Sequence, residues 1–290
     1  DYALRLNCGR MKKPFGGVQM VFFGDLFQLS PVVENEARQL LGERYLSPYF
    51  FSAKVFDDCH LRTIELSNIY RQKDSSFMEL LNRVRSKEHT EEDLKTLNKK
   101  VQKEATVSRK DPTVILTTTN NLANAINQER LSKLPGKEIA YRAMATGKFE
   151  EPAYPTEASL KLKKGAQVIL IKNDPDKRWV NGTLAKVAAL SPDSIVVEID
   201  GLTYDVPVVT WEKIEYSYNE EEDKIEDEVV GEFAQYPLKL AWAITIHKSQ
   251  GQTFDRVIID LGHGAFTHGQ LYVALSRCTC LDGIKLKRPV

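Results

Sequence analysis

Short apolar runs that alternate with helical patterns constrain the fold of this chain more than any other feature. Runs rich in β-branched and aromatic residues predict buried strands at 18–23, 114–117 and 257–260. Apolar residues at helical spacing predict helices at 77–84, 94–97, 122–131 and 271–275. Strands that are apolar along their whole length, with helices between them, are typical of a parallel sheet covered on both faces. The sequence therefore predicts an α/β fold, with Asn120 as the cap of the third helix.

Residues 160–235 follow a different pattern and predict a small all-β module. Short strands are expected at 166–171, 183–190, 194–200 and 203–207. Asn181-Gly182 and Asp200-Gly201 are hairpin turn pairs, because both positions tolerate the positive φ of a tight turn. The module is expected to be a five-stranded barrel inserted into the α/β domain. The acidic run at 220–228 is expected to be a solvated loop or hairpin tip, with an acidic contact surface as the alternative.

The charge balance gives no signal for nucleic acid. Lys and Arg number 40 and Asp and Glu number 40, so any DNA contact must rest on a local basic surface. Cys278 and Cys280 form a C-x-C pair without the second pair or His cluster of a zinc site, so no metal site is predicted. A reduced, intracellular protein without a membrane span is expected.

Gly24, Asp25 and Gln28 follow the first predicted strand. Ligands of open parallel sheets sit at the carboxyl ends of the strands. A Gln at such a place can orient water or touch a γ-phosphate. The alternative is that Asp25 only caps a turn and that Gln28 faces solvent. These residues taken alone favour neither interpretation.

Arg71 and Arg277 are candidate phosphate ligands. The guanidinium group is permanently charged, and its rigid fork fits phosphate oxygens. Arg71 is equally consistent with a surface residue or an ion-pair partner. Arg277 ends an apolar helical turn and should be buried, where a charge needs a partner. That partner could be a structural carboxylate or a nucleotide phosphate.

The polar loop at 245–253 separates an apolar run from the third predicted strand. Its hydrogen-bonding side chains surround Gly251, which would let a ligand approach the backbone closely. This composition favours a loop that touches phosphates, and the alternative is a polar surface loop.

Read in order, these segments resemble superfamily one helicases of the 5′-to-3′ branch. They are most similar to the PIF-type DNA helicases, with the RecD-like proteins more distant. Residues 14–19 and 24–32 resemble the PIF-type motif III, except that Ser30 departs from its usual ending of two prolines. Residues 66–72 resemble motif IV, 241–254 motif V and 272–277 motif VI. The match covers nearly the whole chain.

The resemblance implies two RecA-like domains of the P-loop NTPase class that clamp ATP between them. Residues 1–60 would be the C-terminal part of the first domain, called 1A. The second domain, 2A, would comprise 61–150 and 236–290. The β module at 151–235 would be the inserted SH3-like 2B domain of this branch.

The resemblance also implies roles for individual residues. Gln28 would sense the γ-phosphate, and Arg71 and Arg277 would be catalytic arginine fingers. The other residues near the nucleotide would be Gly24, Asp25, Gln250 and Gly251. The DNA strand would be contacted by Thr118, Thr119, Asn120, Thr245, His247 and Lys248.

ATP and Mg²⁺ are the cofactors that the resemblance implies. The phosphate loop G-x-x-x-x-G-K-[ST] occurs nowhere in the chain, so the residues that hold phosphate and magnesium are expected upstream of Asp1. The chain is therefore expected to be the C-terminal portion of a helicase that hydrolyses no ATP by itself.

The implied partners are single-stranded DNA and DNA junctions, in repair, recombination or telomere maintenance. The compartment would be a bacterial cytoplasm, a nucleus or a mitochondrion. Two alternatives stay open: a RecD-like subunit of a recombination complex, and a non-catalytic DNA-binding scaffold.

Overall fold

The computed structural model describes residues 1–33, 35–102, 113–219, 224–262 and 264–290. These form two compact units. Unit 1 comprises Asp1–Asn68 and Ile214–Val229, and unit 2 comprises Ile69–Lys213 and Val230–Val290. The first four residues of the acidic run, 220–223, lie outside the described residues.

The α-helices in the described ranges are α1 (Tyr2–Asn7), α2 (Asn35–Arg44), α3 (Ser75–Ser86), α4 (Glu91–Asn98), α5 (Asn120–Ser132) and α6 (Gln270–Ser276). The strands up to residue 199 are β1 (Val114–Thr117), β2 (Ile139–Arg142), β3 (Met144–Gly147), β4 (Ser159–Leu162), β5 (Gln167–Leu170), β6 (Leu184–Ser191) and β7 (Ser194–Ile199). The later strands are β8 (Leu202–Val206), β9 (Val209–Asn219), β10 (Lys224–Gln235), β11 (Leu238–Leu240), β12 (Ala243–Thr245), β13 (Val257–Asp260) and β14 (Ile284–Leu286).

In unit 1, an aromatic cluster takes the place of the strand predicted at 18–23. These residues form no strand, and Phe23 is 89% exposed. The ring of Phe22 stacks on Phe50 at 5.8 Å and meets Phe56 edge-on at 5.5 Å. The strand prediction is wrong because an apolar run becomes a strand only beside a hydrogen-bonded neighbour. No segment in the described part of the chain pairs with this one.

Unit 2 contains a four-stranded parallel sheet in the order β12-β1-β13-β14. Its two longest strands, β1 and β13, are buried at every residue, as the apolar runs predicted. In the register, Thr117 of β1 lies between Thr245 of β12 and Asp260 of β13. The carboxyl ends of three parallel strands therefore meet at one edge, which is where ligands of such sheets bind.

Helix α5 follows β1 and begins at this edge of the sheet. Its N-cap is Thr119, whose hydroxyl accepts a hydrogen bond from the Leu122 amide at 3.3 Å. Asn120 is the first helical residue, so the predicted cap is wrong by one position. Thr and Asn are both common N-cap residues. Thr119 is the cap here because its backbone is still extended, whereas Asn120 is already helical. Asn127 fixes the helix to the sheet by exchanging two 2.8 Å hydrogen bonds with the Ala243 backbone.

Helices α3 and α4 are joined by an ion pair that the apolar pattern does not show. Asp93 closes a capping box with Thr90 at the start of α4. Its two carboxylate oxygens also accept from Arg83 of α3 at 2.9 and 2.7 Å. The Arg83 hydrogen bonds, followed by the Thr90 amide, hold the pKa of Asp93 well below its usual value.

The β module contains a five-stranded antiparallel sheet in the order β11-β5-β6-β7-β8. Its strands β5 to β8 match the four predicted segments closely. The fifth strand, β11, lies beyond the predicted module boundary at 235. Two smaller sheets, β3-β10-β9 and β2-β4, complete the strands of the described residues.

Candidate functional site

Arg71 and Arg277 lie together in unit 2. The Arg71 guanidinium donates from Nη1 to the Ser276 backbone oxygen at 3.3 Å, and Ser276 directly precedes Arg277. Arg71 is half-buried, whereas Arg277 is only 1% exposed, as its apolar helical turn predicted. The Arg71 side chain therefore contacts the backbone of the residue that directly precedes Arg277.

Gln72 adds further contacts to the same backbone, and the sequence analysis assigned it no role. Its buried side-chain amide donates from Nε2 to the backbone oxygens of Ser276 and Cys278, both at 3.1 Å. The Lys73 amide adds a third contact, to the Thr279 oxygen at 3.3 Å. Gln72 therefore brackets the backbone of Arg277. Its only sequence signal is that it follows Arg71.

The buried Arg277 guanidinium is surrounded by oxygen acceptors. It donates from Nε to the Val273 oxygen at 3.0 Å and from Nη2 to the Ser276 hydroxyl at 2.9 Å. It also donates from Nη1 to the Gln252 backbone oxygen at 3.2 Å. The carbonyl groups at the end of α6 carry partial negative charge, which favours a cation at this position. These contacts fix the guanidinium in one orientation.

The loop 245–253 is built from consecutive turns. The Ser249 amide donates to the Thr245 oxygen at 3.0 Å, and its hydroxyl donates to the Ile246 oxygen at 2.8 Å. Gly251 has φ +83°, a conformation that side chains resist, and no atom lies within 4 Å of where a Cβ would stand. Gln250 is exposed beside it. The two predicted nucleotide-site residues of this loop are therefore accessible.

The predicted DNA-binding residues cluster at the carboxyl edge of the parallel sheet. The Lys248 ammonium donates to the Asn120 side-chain oxygen at 3.0 Å, joining the loop 245–253 to the start of α5. Thr119, Asn120 and Lys248 are exposed, and His247 is half-buried.

Thr118 and Thr245, in contrast, are buried and engaged internally. The Thr118 hydroxyl donates to the Leu261 oxygen at 3.4 Å. The Thr245 hydroxyl accepts from the Lys248 amide at 3.3 Å. The structure therefore presents the other four predicted residues to a ligand more directly than these two.

A cleft of about 670 Å³ opens beside this cluster in unit 2. It lies between the start of α5, residues 151–158, the end of β5 and the loop 245–253. Its charged lining includes Glu157, Lys239 and Lys248. Burial, followed by repulsion from Lys248, lowers the pKa of Lys239. Glu157 is exposed as a whole residue, but partial burial of its carboxyl raises the pKa of that group.

Gly24, Asp25 and Gln28 lie in unit 1. Asp25 accepts hydrogen bonds from the Phe27 amide at 3.0 Å and from the Gln28 side-chain amide at 3.1 Å. Gln28 also closes a backbone turn onto the Asp25 oxygen at 3.2 Å. Asp25 thus caps a turn, which was one of its two interpretations, and Gln28 is half-buried.

The described residues contain no group of three or more His, Cys, Asp or Glu side chains that could hold a metal ion. The four cysteines are free thiols, and burial, as the main cause, raises the pKa of Cys278 to about 11. Within the same ranges, no helix has the length and apolar character needed to cross a membrane.

Two family models match the chain across the segments that form this site. The model of the PIF1-like helicases matches residues 3–102, which include Gln28 and Arg71. The model of the UvrD-like helicase C-terminal domain matches 240–279, which include the loop 245–253 and Arg277. The chain belongs to the PIF1-like helicases.

Relatives of this PIF1-like chain are named ATP-dependent DNA helicases. The chain is 32% identical to "ATP-dependent DNA helicase PIF1" of Xenopus laevis over 94% of its own length and 41% of the relative. It is 32% identical to "ATP-dependent DNA helicase Pif1" of Bdellovibrio bacteriovorus over 98% of its own length and 61% of the relative. The chain thus spans about half the length of these relatives.

Solved structures agree with the family assignment. The crystal structure of Bacteroides Pif1 bound to ssDNA matches with a TM-score of 0.78 and 38% identity, over 99% of this chain and 66% of that one. The Pif1 helicase from Candida albicans matches with a TM-score of 0.75 and 30% identity, over 96% and 66%. The predicted α/β fold of RecA-like type is confirmed. The SH3-like form of the β module and the predicted domain boundaries remain predictions.

Proposed function

We propose that this chain belongs to an ATP-dependent DNA helicase that moves 5′ to 3′ along single-stranded DNA and unwinds duplex. One observation carries the proposal. The loop 245–253 contributes Lys248 and Gln252 to the cleft, and the Gln252 backbone oxygen accepts from Arg277. A single short loop therefore contacts both the candidate phosphate-binding arginine and the candidate DNA cleft.

Arg71 and Arg277 are proposed to bind the γ-phosphate of ATP. Guanidinium groups match phosphoryl oxygens in charge and shape, and phosphoryl transfer depends on positioning and charge neutralisation. Arg277 is oriented in advance by the oxygen atoms of Val273, Ser276 and Gln252, which accept hydrogen bonds from it. Gly24, Asp25, Gln28, Gln250 and Gly251 are proposed as further nucleotide-binding residues on the motif resemblance alone.

Mg²⁺ would neutralise phosphate charge in such a site. The described residues contain no group of three or more His, Cys, Asp or Glu side chains that could hold a metal ion, and the sequence has no phosphate loop. This chain is therefore proposed to supply arginine fingers, and the 290 residues alone are expected to hydrolyse no ATP.

The cleft is proposed to hold single-stranded DNA. Asn120 and Lys248 line it and present a helix N-terminus and a cation, both of which suit a phosphate backbone, and Thr119 is the exposed cap of the same helix. The β module forms its other side and is proposed to be the 2B domain. Loss of the γ-phosphate would shift Arg277. Because Arg277 bonds the Gln252 backbone, that shift would move the loop 245–253 and with it Lys248. The protein is proposed to act inside the cell, in DNA repair, recombination or telomere maintenance.

An unwinding assay tests this function on the complete gene product that contains the chain. Duplexes with a 5′ tail and with a 3′ tail are compared at equal concentration with ATP and Mg²⁺. We expect unwinding of the 5′-tailed duplex alone. Unwinding of neither duplex, in a preparation that binds single-stranded DNA, would favour a non-catalytic scaffold and overturn the proposal.

A further inference from the structure

Lys239 lies in the cleft without belonging to any helicase motif. It sits on β11 between the buried residues Leu238 and Leu240, so strand alternation turns its side chain away from the core. Pairing of Lys239 with Ile169 of β5 fixes its position in the five-stranded sheet. Both Lys239 and Ile169 line the cleft.

The Lys239 ammonium has donors to spare. Among the described residues it makes no hydrogen bond or ion pair, although it is half-buried. Lys248 lines the same cleft, and its bond to Asn120 uses one of the three donors of an ammonium group. The two lysines come from different elements, β11 and the loop 245–253.

The two ammonium groups repel each other across the cleft. Burial and then Lys248 lower the pKa of Lys239, while Glu157 acts in the opposite direction. Glu151 and Glu157 also line the cleft, and Glu157 acts on both Lys239 and Lys161, so its charge is shared between these two lysines. An anion placed between the lysines would be attracted by both and would relieve their repulsion.

We propose that Lys239 and Lys248 together bind one phosphodiester of single-stranded DNA. The inference rests on the proposed function, since the cleft must hold the strand. It assigns a contact with the sugar-phosphate backbone of DNA to the β module, which makes the module part of the DNA-binding surface. A backbone contact carries no sequence preference, so its effect should be the same for every base composition.

The test uses the 290-residue chain and the variant Lys239→Met, which keeps the apolar stem and removes the charge. Binding of fluorescent oligo-dT and oligo-dA is measured over a series of salt concentrations. Each phosphate contact to a single strand contributes about 0.7 to the slope of log K against log salt. We expect Lys239→Met to lower that slope by about 0.7 and to weaken binding about tenfold on both oligonucleotides.

The matched control is Lys186→Met, because Lys186 is exposed on β6 of the same sheet and lies outside the cleft lining. It removes the same charge and should leave the slope unchanged. Lys239→Arg keeps the charge and should keep the slope, which separates charge from folding. A Lys239→Met slope equal to that of Lys186→Met overturns the phosphate contact while the DNA cleft stands. Failure of the wild-type chain to bind either oligonucleotide overturns the cleft as well.

Discussion

Arg71 donates from Nη1 to the backbone oxygen of Ser276 at 3.3 Å, across 205 positions of sequence. Because Ser276 precedes Arg277, this bond ties the side chain of one proposed finger arginine to the backbone beside the other. Gln72 strengthens the pairing by bonding the oxygens on both sides of Arg277. Within unit 2, Arg71 and Gln72 thus join their own segment to the backbone on both sides of Arg277.

Substitution Gln72→Ala should destabilise unit 2. It removes the donor shared by two backbone oxygens beside a buried arginine, and a lost partner of this kind costs about 1–3 kcal/mol. Urea unfolding of the chain measures the change. Gln128→Ala is the control, since Gln128 is exposed on α5 and should shift the free energy of unfolding by less than about 0.5 kcal/mol. An equal loss of unfolding free energy in the two variants would contradict a stabilising role for the Gln72 hydrogen bonds to Ser276 and Cys278.

Two glycine substitutions should change stability in opposite directions. A Cβ at Gly283 would stand 2.1 Å from the Asp255 oxygen and 2.6 Å from the Cys278 sulfur, so Gly283→Ala must displace the backbone near Arg277. We expect a loss of about 1–3 kcal/mol, the usual cost of overpacking. Gly42 lies inside α2 with open space around it, so Gly42→Ala should gain up to about 1 kcal/mol. Unfolding curves that rank the two variants the other way would refute this.

The Arg83–Asp93 pair should make stability depend on acid pH. The pKa of Asp93 is lowered in the folded state, so its contribution is present above its unfolded pKa and is lost as the pH falls toward the folded value. Asp93→Asn should therefore be less stable than wild type at pH 7, and the gap should narrow as the pH drops below about 4. Glu92→Gln, at an exposed neighbour, should show no such convergence. Urea unfolding at several pH values measures the difference in the free energy of unfolding between wild type and Asp93→Asn. A difference that does not change with pH would contradict a stabilising Arg83–Asp93 ion pair.

The Cys278 thiol should be the least reactive of the four cysteines. Burial raises its pKa to about 11, so almost no thiolate exists at pH 8, whereas Cys8 is exposed. Alkylation of the folded chain followed by peptide mass spectrometry gives the rate at each site. Modification of Cys278 as fast as Cys8 would mean that the segment around Arg277 opens readily.

The elements that could be predicted from the sequence are those in which the local pattern of apolar residues matches the residues that are buried. Strands β1 and β13 each begin with three apolar residues and are buried along their whole length, and α3, α4 and α6 have regular helical spacing. The run at 18–23 carried the same local signal and was misleading, because strand formation depends on a partner that the run itself does not specify. The cap of α5 was misplaced because Thr119 and Asn120 are both good caps.

The parts of the site that sequence reasoning missed depend on distant neighbours. Gln72 acquires its role from carbonyl oxygens more than 200 positions away. Nothing in the sequence distinguishes Lys239 from the other lysines. Its position in the cleft results from the pairing of β11 with β5. Arg277 could be predicted to be buried from its apolar turn, but its oxygen acceptors could not be named.

The most direct test of the account is the ATPase rate of the complete gene product at saturating single-stranded DNA, compared with that of its Arg71→Ala and Arg277→Ala variants. Removal of an arginine finger should lower kcat by about three to five orders of magnitude, with single-stranded DNA affinity retained in Arg71→Ala. A kcat within tenfold of wild type in both variants would contradict the claim that these two arginines bind the γ-phosphate.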